Sequence, residues 1–178
     1  MSNVLSHAIT ETIHLGKKGG KEDFYIALTG TADYIPHMGM VALTVHAHNE
    51  DMPVCYHFFV NHLADEERER LEKAAEIMDS PVEVHLIDDS AFNTLLLSDG
   101  VAAFFYRFLV APAVAPLTDR VLYLDGDMMC RGSLDYLRNL DFQGNDVAVV
   151  SDRKEELQMK RVHTKRYFNA GMMLINVK

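Results

Sequence analysis

The sequence predicts one α/β domain with a mainly parallel sheet flanked by helices. Apolar runs typical of buried strands recur along the 178 residues. Segments with apolar residues at helical spacing lie between most of these runs. No internal repeat, low-complexity tract or convincing domain boundary interrupts the alternation. Alternating strands and helices form βαβ units, whose strands pair in parallel with helices on both faces of the sheet.

The first half of the chain supplies two strands and a helix after an irregular beginning. Residues 1–22 are polar and glycine-rich, which favours a loose lead-in to a domain of residues 23–178. Residues 24–28 are apolar and partly aromatic, as in a buried strand, and residues 29–34 form the turn after it. A second strand is predicted at residues 54–60. The helix between them has one apolar face, formed by Met38, Val41, Ala42 and Val45.

The middle of the chain continues the pattern. Asp65 is a suitable N-cap for a helix whose first turn is acidic, which the helix dipole favours. Residues 82–86 alternate apolar and polar side chains, which predicts a third strand. Residues 101–115 form an apolar helix that Pro112 bends or ends. Residues 121–124 are the next buried strand.

Most of the elements predicted in the last third of the chain are short. A short helix follows Ser133, and residues 146–150 form a short strand. Residues 153–166 are charged and are expected to be loop or helix. Residues 167–177 are expected to form a turn and then a strong strand that runs to the end of the chain. This ending leads us to expect a chain that lacks a C-terminal part.

Composition excludes several classes of protein. The formal charge is −9, which argues against sequence-independent binding of nucleic acid, because such binding needs a basic face. Two cysteines are typical of a reducing compartment. No run of 18 apolar residues and no signal-peptide pattern is present. We therefore expect a cytoplasmic protein without a transmembrane segment.

Asp125-Gly126-Asp127 is the main candidate for a chemical site. The pair follows a predicted strand directly, and ligands of open α/β sheets bind beyond the carboxyl ends of the strands. Two close carboxylates repel each other, and a hard divalent cation relieves that repulsion. An acidic turn that serves only solubility and turn geometry is the alternative.

Three further residues are candidates, each with a structural alternative. Arg107 lies within an apolar helix and either holds an anion, occupies that helix's wet side or pairs with a structural aspartate. Asn169, two residues before Gly171, suits a sugar hydroxyl, although an ordinary turn has the same pattern. Tyr34 is either a stacking partner for a nucleobase or an exposed loop tyrosine. The nine histidines show no metal-ligand spacing, and no glycine-rich dinucleotide or P-loop motif appears.

Together these stretches resemble glycosyltransferase family 8, in particular the bacterial lipopolysaccharide core glucosyl- and galactosyltransferases. The resemblance rests on Tyr-Leu-Asp-Gly-Asp within residues 120–137 and covers about residues 23–178. Three stretches support it in order and spacing, namely residues 26–34, Tyr106-Arg107-Phe108 and Tyr167-Phe168-Asn169-Ala170-Gly171. It implies a Rossmann-like nucleotide-sugar-binding domain of the GT-A type.

The resemblance also implies roles for individual residues. Asp125 and Asp127 would coordinate Mn²⁺ or Mg²⁺ at the diphosphate of a UDP-sugar, with Tyr34 beside the uracil. Arg107 would lie by the donor's sugar or phosphates. Two residues are expected at the catalytic centre, namely Asn169 and Asp152. The remaining residues expected to bind the donor are Ala27, Thr31, Asp33 and Gly126.

The implied reaction is the transfer of glucose or galactose from UDP-glucose or UDP-galactose to a saccharide acceptor such as lipopolysaccharide core, with retention of the anomeric configuration. Two departures from the family pattern bear on it. Thr31 stands where relatives often carry an aspartate, which alters base recognition unless Asp33 substitutes in part. The family's Asp-Gln-Asp and His-x-x-Gly-x-x-Lys-Pro-Trp segments are absent from these 178 residues. We therefore expect a truncated, weakly active chain, with peripheral membrane association only in a longer form.

Two alternatives remain open at this point. A hydrophobic strand followed by Asp-x-Asp also resembles the nucleophile motif of haloacid-dehalogenase-type phosphatases, although Met129 and the mid-chain position do not fit that motif. A degenerate fragment that acts as a UDP-sugar-binding or interaction module is the other alternative. Apolar surface exposed by a missing part would lead such a fragment to form oligomers.

Overall fold

A computed structural model describes residues 7–92, 102–152, 159–161, 164 and 166–178. Its described part contains one seven-stranded sheet with the order β1-β4-β3-β2-β5-β7-β6. The four central strands are parallel to one another, whereas β1 and β7 run antiparallel to their neighbours. The predicted α/β class with a mainly parallel sheet is confirmed. The strands are β1 (Ile9–Leu15), β2 (Phe24–Thr29), β3 (Val54–Val60), β4 (Val82–Ile87), β5 (Arg120–Asp125), β6 (Val147–Ser151) and β7 (Phe168–Asn176).

Helices pack on both faces of this sheet. The described helices are α1 (Ile35–Ala47), α2 (Asp65–Met78), α3 (Arg107–Val114) and α4 (Asp135–Arg138), and 3₁₀ turns lie at Ala32–Tyr34, Asp89–Phe92 and Ala102–Phe105. The apolar sides of α1 and α2 join the cluster that contains Ile26 and Phe58. On the opposite face, α3 packs against the cluster of Tyr25, Phe59 and Tyr123. β2, β3 and β5 therefore lie in the most buried layer of the molecule.

The beginning of the chain differs from the expected loose lead-in. β1 forms within residues 1–22 and pairs antiparallel with β4 at the edge of the sheet. Its polar threonine, glutamate and histidine side chains give it the composition of a loop. Ile13 and Leu15 nevertheless pack on one core cluster, while Ile9 packs on the other because the register shifts between Ile9 and Glu11.

Smaller differences concern the ends of three elements. The apolar segment that was expected to be one helix is a 3₁₀ turn followed by α3, and its first residue, 101, lies outside the described residues. Asp65 is the first residue of α2, and the N-cap is Ala64. Asn169 and Gly171 lie inside β7 and not in a turn before it. Most of the charged segment 153–166 is also outside the described residues.

Among the described helices, none combines the length and the apolar character that crossing a membrane requires.

Candidate functional site

A cavity of about 380 Å³ lies at the carboxyl ends of β2 and β5. This is the edge of the sheet at which open α/β proteins bind ligands. Three segments form its walls, namely the turn after β2, the residues that lead into α3, and the end of β5. The lining residues are Thr29, Gly30, Thr31, Asp33, Tyr34, Ala103, Phe104, Arg107, Tyr123, Asp125, Gly126 and Asp127.

Most of the residues singled out from the sequence line this cavity. They are Thr31, Asp33, Tyr34, Arg107, Asp125, Gly126 and Asp127. Ala27 does not, because it is fully buried inside β2. Asn169 is not part of the lining, but it lies next to it through Gly171. Asp152 follows β6, its backbone N–H donates to the Tyr167 carbonyl at 3.3 Å, and it is not among the lining residues.

Asp125 is the last residue of β5 and is held in place by its own strand and by α3. Its Oδ1 accepts hydrogen bonds from the Tyr123 hydroxyl at 2.5 Å and from Arg107 Nη2 at 3.3 Å. The Tyr123 hydroxyl also lies 3.1 Å from Thr29 Oγ1 on β2. Burial, reinforced by Asp125, raises the pKa of Tyr123 well above its usual value. Tyr123 therefore stays protonated and fixes the orientation of the carboxylate.

Asp127 differs from Asp125 in its environment. It is exposed in the turn after β5, and within the described part of the chain its carboxylate has no hydrogen bond or ion pair. Two carboxylates separated by one residue thus face the cavity, one anchored and one free to move. This donor set fits Mg²⁺ or Mn²⁺, which take carboxylate oxygens and complete their shell with water and phosphate oxygens. The described residues contain no cluster of three or more metal-ligating side chains.

Arg107 connects the helix that carries it to two strands. Its Nη1 donates to the Ala170 carbonyl of β7 at 3.1 Å, and its Nε donates to the Phe104 carbonyl at 3.2 Å. Its guanidinium lies 5.1 Å from the centre of the Tyr123 ring. With 19% of its side chain exposed, Arg107 keeps a partly open cationic face on the cavity. The pair with Asp125 and an anion-binding role are therefore compatible.

Two glycines allow the close packing around the aspartates. A Cβ at Gly171 would lie 2.9 Å from both Asp125 Oδ2 and Asn169 Oδ1. A Cβ at Gly126 would lie 2.8 Å from Met38 Cγ, which packs beneath the turn. Asn169 Oδ1 accepts the Gly171 N–H at 2.8 Å, and the pairing of β7 with β6 is irregular at this point. This bulge in β7 brings residues 169–171 to the aspartates.

Sequence reasoning missed four residues that support the site. Tyr123 was read only as part of a strand, and Tyr106 only as part of a motif. Asn61 follows β3 and Asp89 follows β4, so both lie at the same edge of the sheet as the cavity. A polar residue shortly after a predicted strand was the signal that could have found Asn61 and Asp89, and the sequence carries no such signal for Tyr106 and Tyr123.

The model of the family described as "Glycosyl transferase family 8" matches residues 25–178. This match covers most of the chain. The chain belongs to glycosyl transferase family 8. The family prediction is thereby confirmed, and the comparison with haloacid-dehalogenase-type phosphatases is set aside.

Relatives of this family 8 chain include two enzymes of lipopolysaccharide synthesis. A lipopolysaccharide 1,3-galactosyltransferase of Salmonella typhimurium is 31% identical over 165 residues, which cover 88% of this chain and 49% of the relative. The lipopolysaccharide glucosyltransferase WaaO of Escherichia coli is 29% identical over 147 residues, which cover 78% of this chain and 43% of WaaO. The chain thus spans about half the length of these relatives.

Solved structures support the GT-A fold. The galactosyltransferase LgtC, crystallised with donor and acceptor sugar analogs, superposes with a TM-score of 0.77 at 22% identity, covering 87% of this family 8 chain and 58% of LgtC. The apo form of GlyE from Streptococcus pneumoniae superposes with a TM-score of 0.61 at 22% identity, covering 88% of this chain and 34% of GlyE.

Proposed function

We propose that this chain is the donor-binding half of a retaining hexosyltransferase. It would take glucose or galactose from UDP-glucose or UDP-galactose and pass it to a saccharide acceptor such as lipopolysaccharide core. The observation that carries the proposal is the cavity in which Asp125, Asp127 and Arg107 face Tyr34 at the carboxyl edge of the sheet. The aromatic ring suits a nucleobase, and the guanidinium and the two carboxylates, with a divalent cation between them, suit a diphosphate.

The turn after β2 is the proposed nucleobase wall. The Tyr34 side chain is 44% exposed on the cavity, which allows its ring to stack on uracil. The Thr31 hydroxyl donates to the Asp33 carboxylate, so both side chains are oriented before a ligand arrives. Asp33 then supplies the carboxylate that relatives are expected to have at the position of Thr31.

Asp125, Asp127 and Arg107 form the proposed diphosphate wall. The two aspartates would hold Mn²⁺ or Mg²⁺, and Arg107 would donate to a phosphate oxygen from its open face. A divalent cation bound there supplies positive charge against the departing UDP. Tyr123 and Thr29 keep the Asp125 carboxylate in one orientation, so that the site is organised before binding.

Asn169 and Asp152 are the proposed residues at the sugar. The Asn169 amide can donate to a sugar hydroxyl, because its Oδ1 is already used by the Gly171 N–H. Asp152, at the end of β6, is proposed to line the sugar and acceptor side. In a retaining transfer the acceptor hydroxyl attacks the face that UDP leaves, so the acceptor must approach from this side of the cavity.

Ligand-dependent thermal stability tests the proposal. UDP with Mn²⁺ at about 1 mM should raise the Tm by several degrees, because a ligand that binds only the folded state stabilises it. The increase should disappear in Asp125→Asn and Asp127→Asn. Asp119→Asn is the matched control, since Asp119 precedes β5 at the opposite end and pairs with Lys178. Without a Tm increase in the unaltered chain, donor binding by this chain would be excluded.

A second candidate function is binding without turnover. It requires only the contacts that the lining of the cavity can make with a nucleotide-sugar. Release of UDP from UDP-glucose and UDP-galactose, measured with and without an oligosaccharide acceptor, separates the two functions. UDP release that depends on the acceptor supports the transferase, and a Tm increase without UDP release supports the binding module. For either function we propose a cytoplasmic location, where nucleotide-sugars would be the substrate.

A further inference from the structure

Asp89 lies outside the cavity but contacts the elements on two of its sides. It begins the 3₁₀ turn that follows β4. One carboxylate oxygen, Oδ1, accepts a hydrogen bond from the Tyr106 hydroxyl. The other, Oδ2, accepts a hydrogen bond from Asn61 Nδ2 at 3.2 Å. A single carboxylate thus receives one donor from each of two segments that are distant in sequence.

The first contact leads to the nucleobase wall. Asn61 follows β3, and its Oδ1 accepts the backbone N–H of Ala32 at 3.0 Å. Ala32 opens the 3₁₀ turn that carries Asp33 and Tyr34. The position of this turn is therefore linked to Asp89 through one side-chain amide.

The second contact leads to the diphosphate wall. Tyr106 immediately precedes Arg107, and its side chain is fully buried next to Phe92, with 5.7 Å between the ring centres. Burial, reinforced by Asp89, raises the pKa of Tyr106 far above its usual value, so its hydroxyl remains a donor. The start of α3, and with it Arg107, is linked to Asp89 through this hydroxyl.

We propose that Asp89 is a positioning residue that fixes the distance between the nucleobase wall and the diphosphate wall. We call Asn61, Asp89 and Tyr106 the Asp89 bridge. A nucleoside diphosphate must contact both walls at once, so an error in their spacing weakens its binding even when every contacting side chain is intact. This inference rests on the proposed function for its ligand, but the bridge itself is a property of the free protein.

The chemistry of the bridge requires a carboxylate. Both neighbours are donors toward Asp89, and only a carboxylate offers them two acceptor oxygens. In Asp89→Asn one position becomes an NH₂ group, which faces either the Tyr106 hydroxyl or Asn61 Nδ2. Rotation of the Asn61 amide would satisfy that NH₂ group but would turn the Asn61 NH₂ toward the Ala32 N–H. The Tyr106 hydroxyl can accept from that NH₂ group, but the two charge-assisted hydrogen bonds of the carboxylate then become neutral ones, which are about half as strong. The asparagine variant therefore weakens both links.

Hydrogen exchange of the free protein tests the bridge directly. Asp89→Asn should increase the exchange of amides in both residues 31–34 and residues 103–107. Asn61→Ala should increase it mainly in the first segment, and Tyr106→Phe mainly in the second. Asp88→Asn is the matched control, since Asp88 caps only Ser90 within the same turn and should change neither segment. Unchanged exchange in both segments of Asp89→Asn would overturn the proposal.

Calorimetric titration then measures the consequence for a ligand. Asp89→Asn should weaken UDP binding in the presence of Mn²⁺ about tenfold, because weaker hydrogen bonds to Asn61 and Tyr106 leave the two walls less well positioned for the ligand. Asn61→Ala should weaken uridine and UDP alike, whereas Tyr106→Phe should weaken UDP and leave uridine unchanged. Equal losses for both ligands in all three variants would indicate general destabilisation and would overturn the positioning role.

The two readouts separate this inference from the proposed function. If the unaltered chain binds neither UDP nor uridine, the proposed function fails while the exchange experiment still decides whether the bridge exists. If the unaltered chain binds UDP and Asp89→Asn binds it equally well, the proposed function stands and the positioning role of Asp89 fails. Tyr106→Phe provides a milder variant should Asp89→Asn not fold.

Discussion

The tightest packing among the residues of the site is at Gly171. The Cα of this residue lies where any larger side chain would meet the Asp125 carboxylate. The same residue donates its N–H to Asn169 Oδ1, so its position also fixes Asn169. A residue without chemistry of its own thus determines where a proposed metal ligand and a proposed sugar ligand lie. Its requirement for glycine follows from space and not from backbone conformation.

Gly171→Ala is expected to displace Asp125, because the new methyl group would lie 2.9 Å from Asp125 Oδ2. The Tm increase with UDP and Mn²⁺ should be lost, and the free energy of unfolding should fall by about 1–3 kcal/mol, as in other overpacked sites. Gly39→Ala is the control: it lies within α1 with nothing within 4 Å of its would-be Cβ. It should stabilise the protein by about 0.5–1 kcal/mol. Retained ligand binding in Gly171→Ala would contradict the tight packing.

Tyr123→Phe tests the anchoring of Asp125 from the other side. Its hydroxyl bonds both Asp125 and the buried Thr29, so removing it takes the hydrogen-bond partner from the Thr29 hydroxyl and one of two donors from Asp125 Oδ1. Denaturant unfolding should show a loss of about 1–3 kcal/mol in the free energy of unfolding. Tyr136→Phe makes the same chemical change at a side chain that is 75% exposed and should change this free energy by less than about 0.5 kcal/mol. Similar values for the two variants would contradict the anchoring role.

At the scale of elements, a network of polar groups, buried except at Thr12, connects β1, β3 and β4. His57 Nδ1 lies 2.9 Å from His85 Nε2, and His85 Nδ1 lies 3.0 Å from Thr12 Oγ1. The Cys55 thiol is 3.5 Å from His57 Nε2. The rings are also packed between aromatic side chains, with Tyr25 on His57 and Phe59 on His85. These contacts hold the edge strand β1 to the parallel core.

The two buried histidines of this network predict a loss of stability in mild acid. Burial, and then the nearby His85, lowers the pKa of His57 to about 3, and burial, and then His14, lowers the pKa of His85 to about 4. In the unfolded chain both would take up a proton near pH 6.5. The contribution of the two neutral histidines to the free energy of unfolding is therefore fully present above about pH 6.5. It is lost as the pH falls toward the pKa values of the folded protein.

His57→Gln is expected to flatten this dependence. Between about pH 6 and pH 5 the free energy of unfolding of the variant should fall less steeply than that of the unaltered chain. The two slopes should differ by roughly 1 kcal/mol per pH unit, because one titrating group has been removed. Denaturant unfolding at a series of pH values measures both slopes. An identical slope in the variant would show that His57 is protonated in the folded protein and would contradict its buried neutral state.

The elements differ in how far the sequence determines them. The central strands β2, β3 and β5 are continuous apolar runs, because a parallel strand is buried on both faces. β1 escaped prediction because an edge strand needs few apolar side chains, and its partner β4 lies far away in sequence. The bulge in β7 likewise depends on pairing with β6, which local sequence does not specify.

At the scale of the whole molecule, the candidate site follows from the order of the strands. Asp125 and Asp127 were recognisable because they follow a strand, and Arg107 because a charge stood within an apolar helix. The contact between Arg107 and Asp125 was not predictable, since it requires α3 to pack beside β5. The Asp89 bridge depends on the same order, because it joins the ends of β3 and β4 to α3. The chemical roles of single residues could therefore be predicted from the sequence, whereas the contacts that support them required the tertiary structure.

The outer edge of the sheet, at β6, is a candidate surface for self-association. β6 is the terminal strand of the described sheet, and Val147, Val149 and Val150 on it are exposed, as is Phe168 on β7. An exposed apolar edge strand readily pairs with another chain. We expect the protein to self-associate with increasing concentration, as sedimentation velocity would measure, and Val149→Lys to reduce the association. Ile77→Lys, at an exposed apolar residue of α2, should leave it unchanged. A monomer at every concentration, or equal effects of both lysines, would contradict association through β6.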